Sequence, residues 1–289
     1  MKCAVCTVAA VAVLAAGCSD VRFGYRQSER VLDWTIASYV ALGPRQQQAV
    51  SEHLGAVKRW HCATQPPAYA AWVRQAAADF GPGLTTERVI ARINGLEYFA
   101  RLLLTESMPH IATMVRQFTD RQVRELEYNL GHARQLDRAR AARLSPHAAS
   151  GQRSIGMRRS LEYWLGPLTP QQSRLVDTWS GSQQPVDGAV YAIPGLPINA
   201  VRRALHRRRD NRVLEDELRA LLSAPDRWWT SASDPRLVAN RQQTWQMLAA
   251  VAAGTGPEQR RLLSERAEAL AADLERFGCD PARDATGNN

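Results

Sequence analysis

The sequence predicts an all-α protein, an extended and mostly antiparallel assembly of eight to ten helices joined by short turns rich in proline and glycine. Two observations favour this fold class. From about residue 29 onward, apolar residues recur every three or four positions, as core-facing helices require. Alternating β-branched runs joined by hairpin turns are missing. With 289 residues, 45% of them apolar, the chain is long enough to bury a core and lacks a disordered composition.

Apolar stripes predict the first four helices. Their marker residues are Val31, Leu32, Trp34, Ile36 and Tyr39; Val50, Leu54, Val57 and His61, within a helix from about Pro44 to Thr64; Tyr69, Trp72, Val73 and Phe80, after Pro66-Pro67; and Val89, Ile93, Leu96, Ala100 and Leu103. Pro109 should end or kink the fourth helix, because proline removes a backbone hydrogen bond and its ring clashes with the preceding turn.

Similar stripes predict the later helices. They are Val123, Leu126, Leu130 and Ala133; Leu161, Tyr163, Trp164 and Leu165; Leu175, Val176 and Trp179; Val201, Leu205, Val213, Leu214, Leu218 and Leu221, in one or two helices; Leu237, Trp245, Leu248 and Val251; and Leu263, Ala267, Leu270, Leu274 and Phe277. The segment Ser180–Asn199 carries three prolines and three glycines, so we expect it not to be helical. This segment is either an ordered loop that packs over the helical domain of residues 29–280, or a boundary that divides that domain into two helical halves. The polar tail 281–289 should be flexible.

The N-terminal segment is typical of exported proteins. Lys2 precedes an apolar stretch of small residues that is too short to span a bilayer stably. Leu14-Ala15-Ala16-Gly17-Cys18 resembles a bacterial lipobox, which implies a signal peptide over 1–17 and a lipidated tether over 18–28. In lipoproteins such a cysteine carries fatty acyl chains such as palmitate, and Ser19 after it implies the periplasmic face of the outer membrane. The alternative is an ordinary secretory signal with an incidental Cys18.

The cysteines predict one disulfide. Cys3 and Cys6 leave with the signal peptide and Cys18 takes the lipid, so Cys62 and Cys279 remain in an oxidising compartment. A Cys62–Cys279 bond would tie the end of an early helix to the end of the last one. The alternative is two free thiols.

One helix-start pattern recurs: an apolar residue, an N-cap, Pro or Asp, any residue, and Gln. It occurs as Leu42-Gly43-Pro44-Arg45-Gln46, Phe118-Thr119-Asp120-Arg121-Gln122, Leu168-Thr169-Pro170-Gln171-Gln172 and Thr255-Gly256-Pro257-Glu258-Gln259. The cap and the glutamine three residues later form a capping box, so the pattern predicts four helix N-termini. The spacings are irregular and exclude a fixed-period solenoid.

These residues also carry two resemblances. The segment Leu168–Gln172 resembles the LTxxQ motif of Spy-like periplasmic chaperones and similar helix starts in the helical lipase foldases. Nearly the whole chain resembles a family of uncharacterised Gram-negative lipoproteins, which implies an all-helical, lipid-anchored envelope protein and supplies no activity. That likeness rests on Cys18, Tyr25, Leu32-Asp33-Trp34, Tyr39–Leu42, Trp60-His61, Pro67, Tyr69, Phe118–Val123, Leu165–Gln172 and Asn240. Cys62 and Gly43-Pro44 depart from the family pattern.

No catalytic, cofactor or metal signature is found in the sequence. The six histidines form no HExxH pair, and the spacing of His53 and His61 completes no ligand set. Phosphate-binding loops, Rossmann glycines and a nucleophile elbow are also missing. We therefore expect a binding protein that is not an enzyme, with no cofactor and no metal.

Two groups of residues are candidate binding surfaces. An aromatic groove would be lined by Trp34, Trp60, His61, Tyr69 and Trp72, although packing in the core is the simpler explanation of these residues. A basic patch would comprise Arg202, Arg203, Arg207, Arg208, Arg209 and Arg212, although a solvated helix face balanced by nearby carboxylates is the alternative.

The charge of the chain indicates the class of partner. The formal net charge is +9, and 35 of the 37 basic residues are arginines. An exported protein seldom meets nucleic acid, so we expect unfolded or acidic envelope proteins, anionic lipid or peptidoglycan as partners, besides the membrane that holds the lipid. The sequence thus predicts a protein that binds other envelope components, as a chaperone-like protein would, with a structural or assembly scaffold of the envelope as the alternative.

Overall fold

The computed structural model describes residues 27–185, 198–222 and 235–276. Those residues form eleven α-helices and no strand, which confirms the all-α prediction and exceeds the predicted number by one. The helices are α1 Ser28–Tyr39, α2 Pro44–Thr64, α3 Pro66–Asp79, α4 Thr86–Arg116, α5 Asp120–Arg143, α6 Pro146–Leu165, α7 Pro170–Ser182, α8 Ile198–His206, α9 Asn211–Leu222, α10 Pro235–Ala253 and α11 Pro257–Arg276. None of these helices is both long and apolar enough to cross a membrane. The predicted signal peptide, Cys18, Cys279 and the tail lie outside the described residues.

Most helix starts follow from local chemistry. Six described helices begin with proline: Pro44, Pro66, Pro146, Pro170, Pro235 and Pro257. The first N–H groups of a helix have no partner within it, so proline loses no hydrogen bond there, and its fixed φ favours the helix. Thr85, Ser145 and Thr169 are N-caps whose hydroxyls accept a backbone N–H three residues later.

Two predicted helix boundaries are corrected by the structure, namely a helix end at Pro109 and the limits of the non-helical segment Ser180–Asn199. The 31-residue helix α4 continues through Pro109 to Arg116, because Met108 and Ala112 on either side of the proline pack against α8 and α9 and hold the helix together. Helix α7 continues through Gly181 to Ser182 and α8 begins at Ile198, so the predicted non-helical segment Ser180–Asn199 is too long at both ends. Tertiary contacts outweigh the local preference of proline in α4, and the buried Ser180, which donates to Ser150 O, belongs to α7.

Helix α4 connects the apolar clusters of the fold. Near its N-terminus, Leu84 and Val89 pack with Ala252 of α10. Near its C-terminus, Ala112 packs with Leu214 and Leu218 of α9, and with α8. A further cluster joins α6, α7, α10 and α11. The long helix therefore links the α8–α9 hairpin to the C-terminal helices.

Helices α3 and α11 pack closely and antiparallel. Gly81, just after α3, lies beside Arg260 near the start of α11. Arg74 in the middle of α3 binds Glu268 at 2.7 Å and Glu275 at 2.5 Å, further along α11. Alanines at the contact, fully or nearly fully buried, allow the two backbones to approach closely.

Gly166 closes α6 in a way that requires glycine. Its φ is +75°, which makes it the only described residue with a positive φ. A Cβ atom at this position would lie 2.9 Å from Leu262 Cδ2. The turn from α6 into the cap of α7 therefore depends on this residue, both for its backbone conformation and for its contact with α11.

Candidate functional site

Two glutamines at helix starts bind each other across the N-terminal half of the chain. Gln122 Nε2 donates to Gln46 Oε1 at 2.7 Å, and Gln46 Nε2 lies 3.2 Å from Gln122 Oε1. Each amide also donates to the carbonyl two residues before the N-cap of the partner helix. Gln46 reaches Gln117 O at 2.9 Å, and Gln122 reaches Ala41 O at 2.8 Å. The starts of α2 and α5 are therefore bound to each other.

A second glutamine pair repeats this arrangement in the C-terminal half. Gln172 and Gln259 exchange side-chain hydrogen bonds of 3.0 Å in both directions. Gln259 donates to Pro167 O at 3.0 Å, and Gln172 donates to Gly254 O at 3.4 Å, again two residues before the partner N-caps. Gln172 is only 1% exposed. The starts of α7 and α11 are thus joined by the same pattern of bonds.

The capping role predicted for these glutamines is also present. At three of the four starts, the glutamine oxygen accepts the N–H of its own N-cap residue: Gly43 at 3.0 Å, Thr119 at 2.9 Å and Thr169 at 2.9 Å. One side chain therefore caps its own helix and binds the neighbouring helix start. The motif is a tertiary joint as well as a helix signal.

Arg208 does not belong to the exposed basic patch that the sequence predicts. Arg208 is only 3% exposed. Its guanidinium donates hydrogen bonds to Phe118 O at 2.8 Å and to Leu205 O at 3.0 Å, and forms an ion pair with Asp120. These bonds hold the α8–α9 turn against the start of α5. The Arg208 hydrogen bond, followed by the charge of Arg209, lowers the pKa of the Asp120 carboxyl.

The other predicted arginines remain exposed on α8 and α9. Together with one histidine they form what we call the α8–α9 basic surface, comprising Arg202, Arg203, His206, Arg207, Arg209 and Arg212. Part of it lines a shallow depression of about 550 Å³. Residues 198–222 contain seven arginines and four carboxylates, so this segment carries a net positive charge.

Carboxylates neutralise the α8–α9 basic surface only in part. Glu127 of α5 accepts from Arg202 at 3.2 Å and lies 3.1 Å from His206, and Glu217 pairs with Arg203 at 3.0 Å. The side chains of Arg207 and Arg212 form no hydrogen bond or ion pair with another residue that the structure describes. Those two cations are free to bind an external anion.

The predicted aromatic groove is divided by the fold. His61 Nε2 and the Tyr69 hydroxyl share a 3.1 Å hydrogen bond, and the ring of Trp60 lies 6.4 Å from that of His61. Trp72 lies over α4, where its Nε1 donates to Arg92 O at 3.0 Å. Trp34 is on α1 and 48% exposed.

Helix packing accounts for two of these aromatic side chains, Tyr69 and Trp72. Tyr69 and Trp72 contact the buried α3–α11 cluster, and Tyr69 also packs edge-on against Phe99 of α4 at 4.8 Å between ring centroids. Gly95 lets Trp72 approach, since a Cβ there would lie 2.9 Å from its Nε1. The contacts favour a core role for Tyr69 and Trp72.

A histidine pair that sequence reasoning missed joins α2 to α4. His53 Nδ1 and His110 Nδ1 are 2.9 Å apart, and the ring centroids are 5.0 Å apart. The two residues are 57 positions apart in the chain, so no local spacing relates them. Within the described ranges, no group of three or more His, Cys, Asp or Glu side chains could hold a metal ion by itself.

Cys62, at the end of α2, is buried and disulfide-bonded. Its partner is not among the described residues, so pairing with Cys279 stays a prediction. The antiparallel packing of α3 and α11 brings the end of α11 towards the start of α3, only a few residues after Cys62. This direction is the one in which the predicted bond can form.

The comparisons place the chain in a family. Residues 38–234, well over half of the chain, match a family of unknown function, DUF6279. The chain belongs to the DUF6279 family. No curated protein and no solved structure matches it. The DUF6279 region contains the Gln46–Gln122 pair and the α8–α9 basic surface, whereas Gln259 of the second pair lies beyond its end.

We expect this DUF6279 protein to lose stability as the pH falls below neutral. Burial lowers the pKa of His61, and burial followed by the proximity of His53 lowers that of His110, against a smaller opposing effect of Glu106. Unfolding brings both histidine pKa values back towards 6.5. As the pH falls to this value and below, the unfolded chain therefore binds more protons than the folded chain does. The free energy of unfolding should therefore decrease from about pH 7 to about pH 5, as urea denaturation curves would measure.

His110→Asn should flatten this pH dependence, because asparagine does not titrate in that range. His147→Asn is the matched control, since His147 is exposed and contacts no other described residue. Equal pH dependence in both variants would contradict the assignment to His110.

Proposed function

We propose that this chain is a lipid-anchored envelope protein that binds an acidic partner protein through the α8–α9 basic surface. The observation that carries the proposal is the pair of exposed, unneutralised arginines, Arg207 and Arg212, beside a shallow depression lined by three further basic side chains. Opposite charges across such a surface accelerate association and select the partner.

The lipid anchor is supported by the sequence around Cys18. Small residues precede this cysteine, and a short apolar segment with an N-terminal lysine precedes them. Two or more acyl chains hold a protein on a membrane stably, whereas one does not. The proposed tether between the bilayer and the helical domain is then residues 18–28.

A defined acidic partner fits the described surface better than chaperone-like holding of unfolded clients. Client holding requires a contiguous exposed apolar patch. Among the residues that the structure describes, the large exposed apolar side chains lie on five different helices, as Leu32, Trp34, Tyr98, Tyr128, Leu136, Ile155 and Val238. An assembly factor that docks one acidic protein, the scaffold alternative, is compatible with the same surface.

The anchor is tested with Cys18→Ala. We expect the variant to leave the membrane fraction and to lack acyl chains by mass spectrometry, because the thiol that would take the lipid is gone. A variant that still fractionates with membranes would contradict the proposed lipid anchor. The proposal that the α8–α9 basic surface binds an acidic partner does not depend on this result.

The basic surface is tested by the double charge reversal Arg207→Glu with Arg212→Glu. We expect at least tenfold weaker binding to poly-L-glutamate, measured by fluorescence anisotropy, and a weaker dependence on salt. Arg159→Glu with Arg174→Glu is the matched control, because both arginines are exposed on other helices and contact no other described residue.

Three outcomes decide the test. Loss of binding only in the α8–α9 variant supports the proposal. Equal loss in both variants would mean that net charge alone attracts the polymer, and would contradict a specific surface. Binding to anionic lipid vesicles with no binding to the acidic polypeptide would replace the protein partner with the membrane surface.

A further inference from the structure

His53 and His110 form a close contact between two imidazole rings of different helices, α2 and α4. Their Nδ1 atoms are 2.9 Å apart across the α2–α4 contact. One Nδ1 must carry a hydrogen and the other must offer a lone pair, because two lone pairs or two N–H groups at this distance would repel. Both residues are only partly buried, so solvent and ions reach the pair.

This geometry is close to that of two imidazoles on one metal ion. Two nitrogens that each lie about 2.0 Å from an ion are about 2.8 Å apart at a right angle and about 3.3 Å apart at a tetrahedral angle. The observed separation of 2.9 Å is within about 0.1 Å of the first value and about 0.4 Å below the second. Imidazole is a preferred ligand of Cu²⁺, Ni²⁺ and Zn²⁺, and right-angled coordination is typical of Cu²⁺ and Ni²⁺.

We propose that His53 and His110 bind one divalent transition-metal ion between α2 and α4, with Cu²⁺ as the best-fitting ion. This site is independent of the proposed function at α8 and α9. Water would occupy positions on the ion that the two imidazoles leave open.

Glu106 is placed to assist at this site. It precedes His110 by four residues on α4, hence by about one helical turn on the same face. It is close enough to His110 to influence that ring electrostatically. A carboxylate there favours a cation and can hold a metal-bound water.

Binding changes only the position of one proton. The imidazole whose Nδ1 carries the hydrogen must move it to Nε2, through solvent, so that both Nδ1 lone pairs reach the ion. No net proton is released from a neutral pair. The ion then replaces the hydrogen bond as the link between α2 and α4, and should stabilise the fold in proportion to its concentration.

The test uses Cu²⁺ and the purified full-length chain without an affinity tag. Calorimetric titration near neutral pH should give one Cu²⁺ per chain. His53→Asn and His110→Asn should each weaken binding at least tenfold, because each removes one of two protein ligands. The control is His132→Asn with His147→Asn, which removes two exposed histidines elsewhere and should change the Kd less than twofold.

Electron paramagnetic resonance of the unaltered chain gives a second readout that needs no variant to fold. A spectrum with coupling to two imidazole nitrogens is expected at one equivalent of Cu²⁺. A spectrum without nitrogen coupling, or equal affinity in the His53→Asn variant and the control, would overturn the proposal.

Discussion

Gln172→Leu should destabilise the chain by about 3 kcal/mol, the larger of the two main effects that we expect from single substitutions. Leucine has a similar volume but forms none of the hydrogen bonds that Gln172 makes. Its removal leaves the N–H of Thr169, the carbonyl of Gly254 and the side chain of Gln259 without this partner. Because Gln172 is 1% exposed, water cannot replace the lost bonds without opening the α7–α11 joint. Urea denaturation monitored by circular dichroism measures the difference.

Gln171→Leu is the matched control for this prediction. Gln171 is the preceding residue, is exposed and contacts no other described residue, so its change should stay within about 0.5 kcal/mol. A Gln172→Leu variant as stable as this control would show that the paired glutamines do not hold the helix starts together.

A double-mutant cycle isolates the contact between the two glutamines. Gln259→Leu added to Gln172→Leu should cost less than the sum of the single changes, because replacing both partners leaves fewer unpaired polar groups than replacing one. If the two losses of stability were additive, the stabilisation would come from the capping bonds that each glutamine makes separately and not from the contact between the two glutamines.

Arg208→Ala should destabilise the chain by about 2–3 kcal/mol. The substitution removes a buried side chain and leaves the carbonyls of Phe118 and Leu205 without their charged donor. The turn between α8 and α9 would then lose its attachment to the start of α5. Thermal or urea denaturation of the variant measures this loss.

Arg207→Ala is the control, because Arg207 is the exposed neighbour and its side chain forms no hydrogen bond or ion pair with another described residue. Its stability should change by less than about 0.5 kcal/mol. Equal stability of the two alanine variants would contradict the structural role of Arg208 and return it to the exposed basic surface.

Local sequence signals predicted the helices because helix starts are set by a few adjacent residues. The second helix has the predicted bounds, Pro44–Thr64, and the Thr169-Pro170 cap begins α7 as expected. The same local rules failed at Pro109, where packing of the neighbouring residues on α8 and α9 keeps α4 continuous. Composition and spacing also indicated the basic segment, but not which arginine is buried.

The amino-acid sequence by itself determined the all-α class, the four helix starts at the glutamine pattern, the positive charge of residues 198–222 and the match to the DUF6279 family. Only the tertiary structure decided which helix starts meet, because Gln46 and Gln122 are 76 residues apart and Gln172 and Gln259 are 87 apart. It also brought His53 to His110 and buried Arg208 against α5. Capping depends on groups within four residues of each other, whereas these contacts depend on how apolar helix faces pack, which no local spacing encodes.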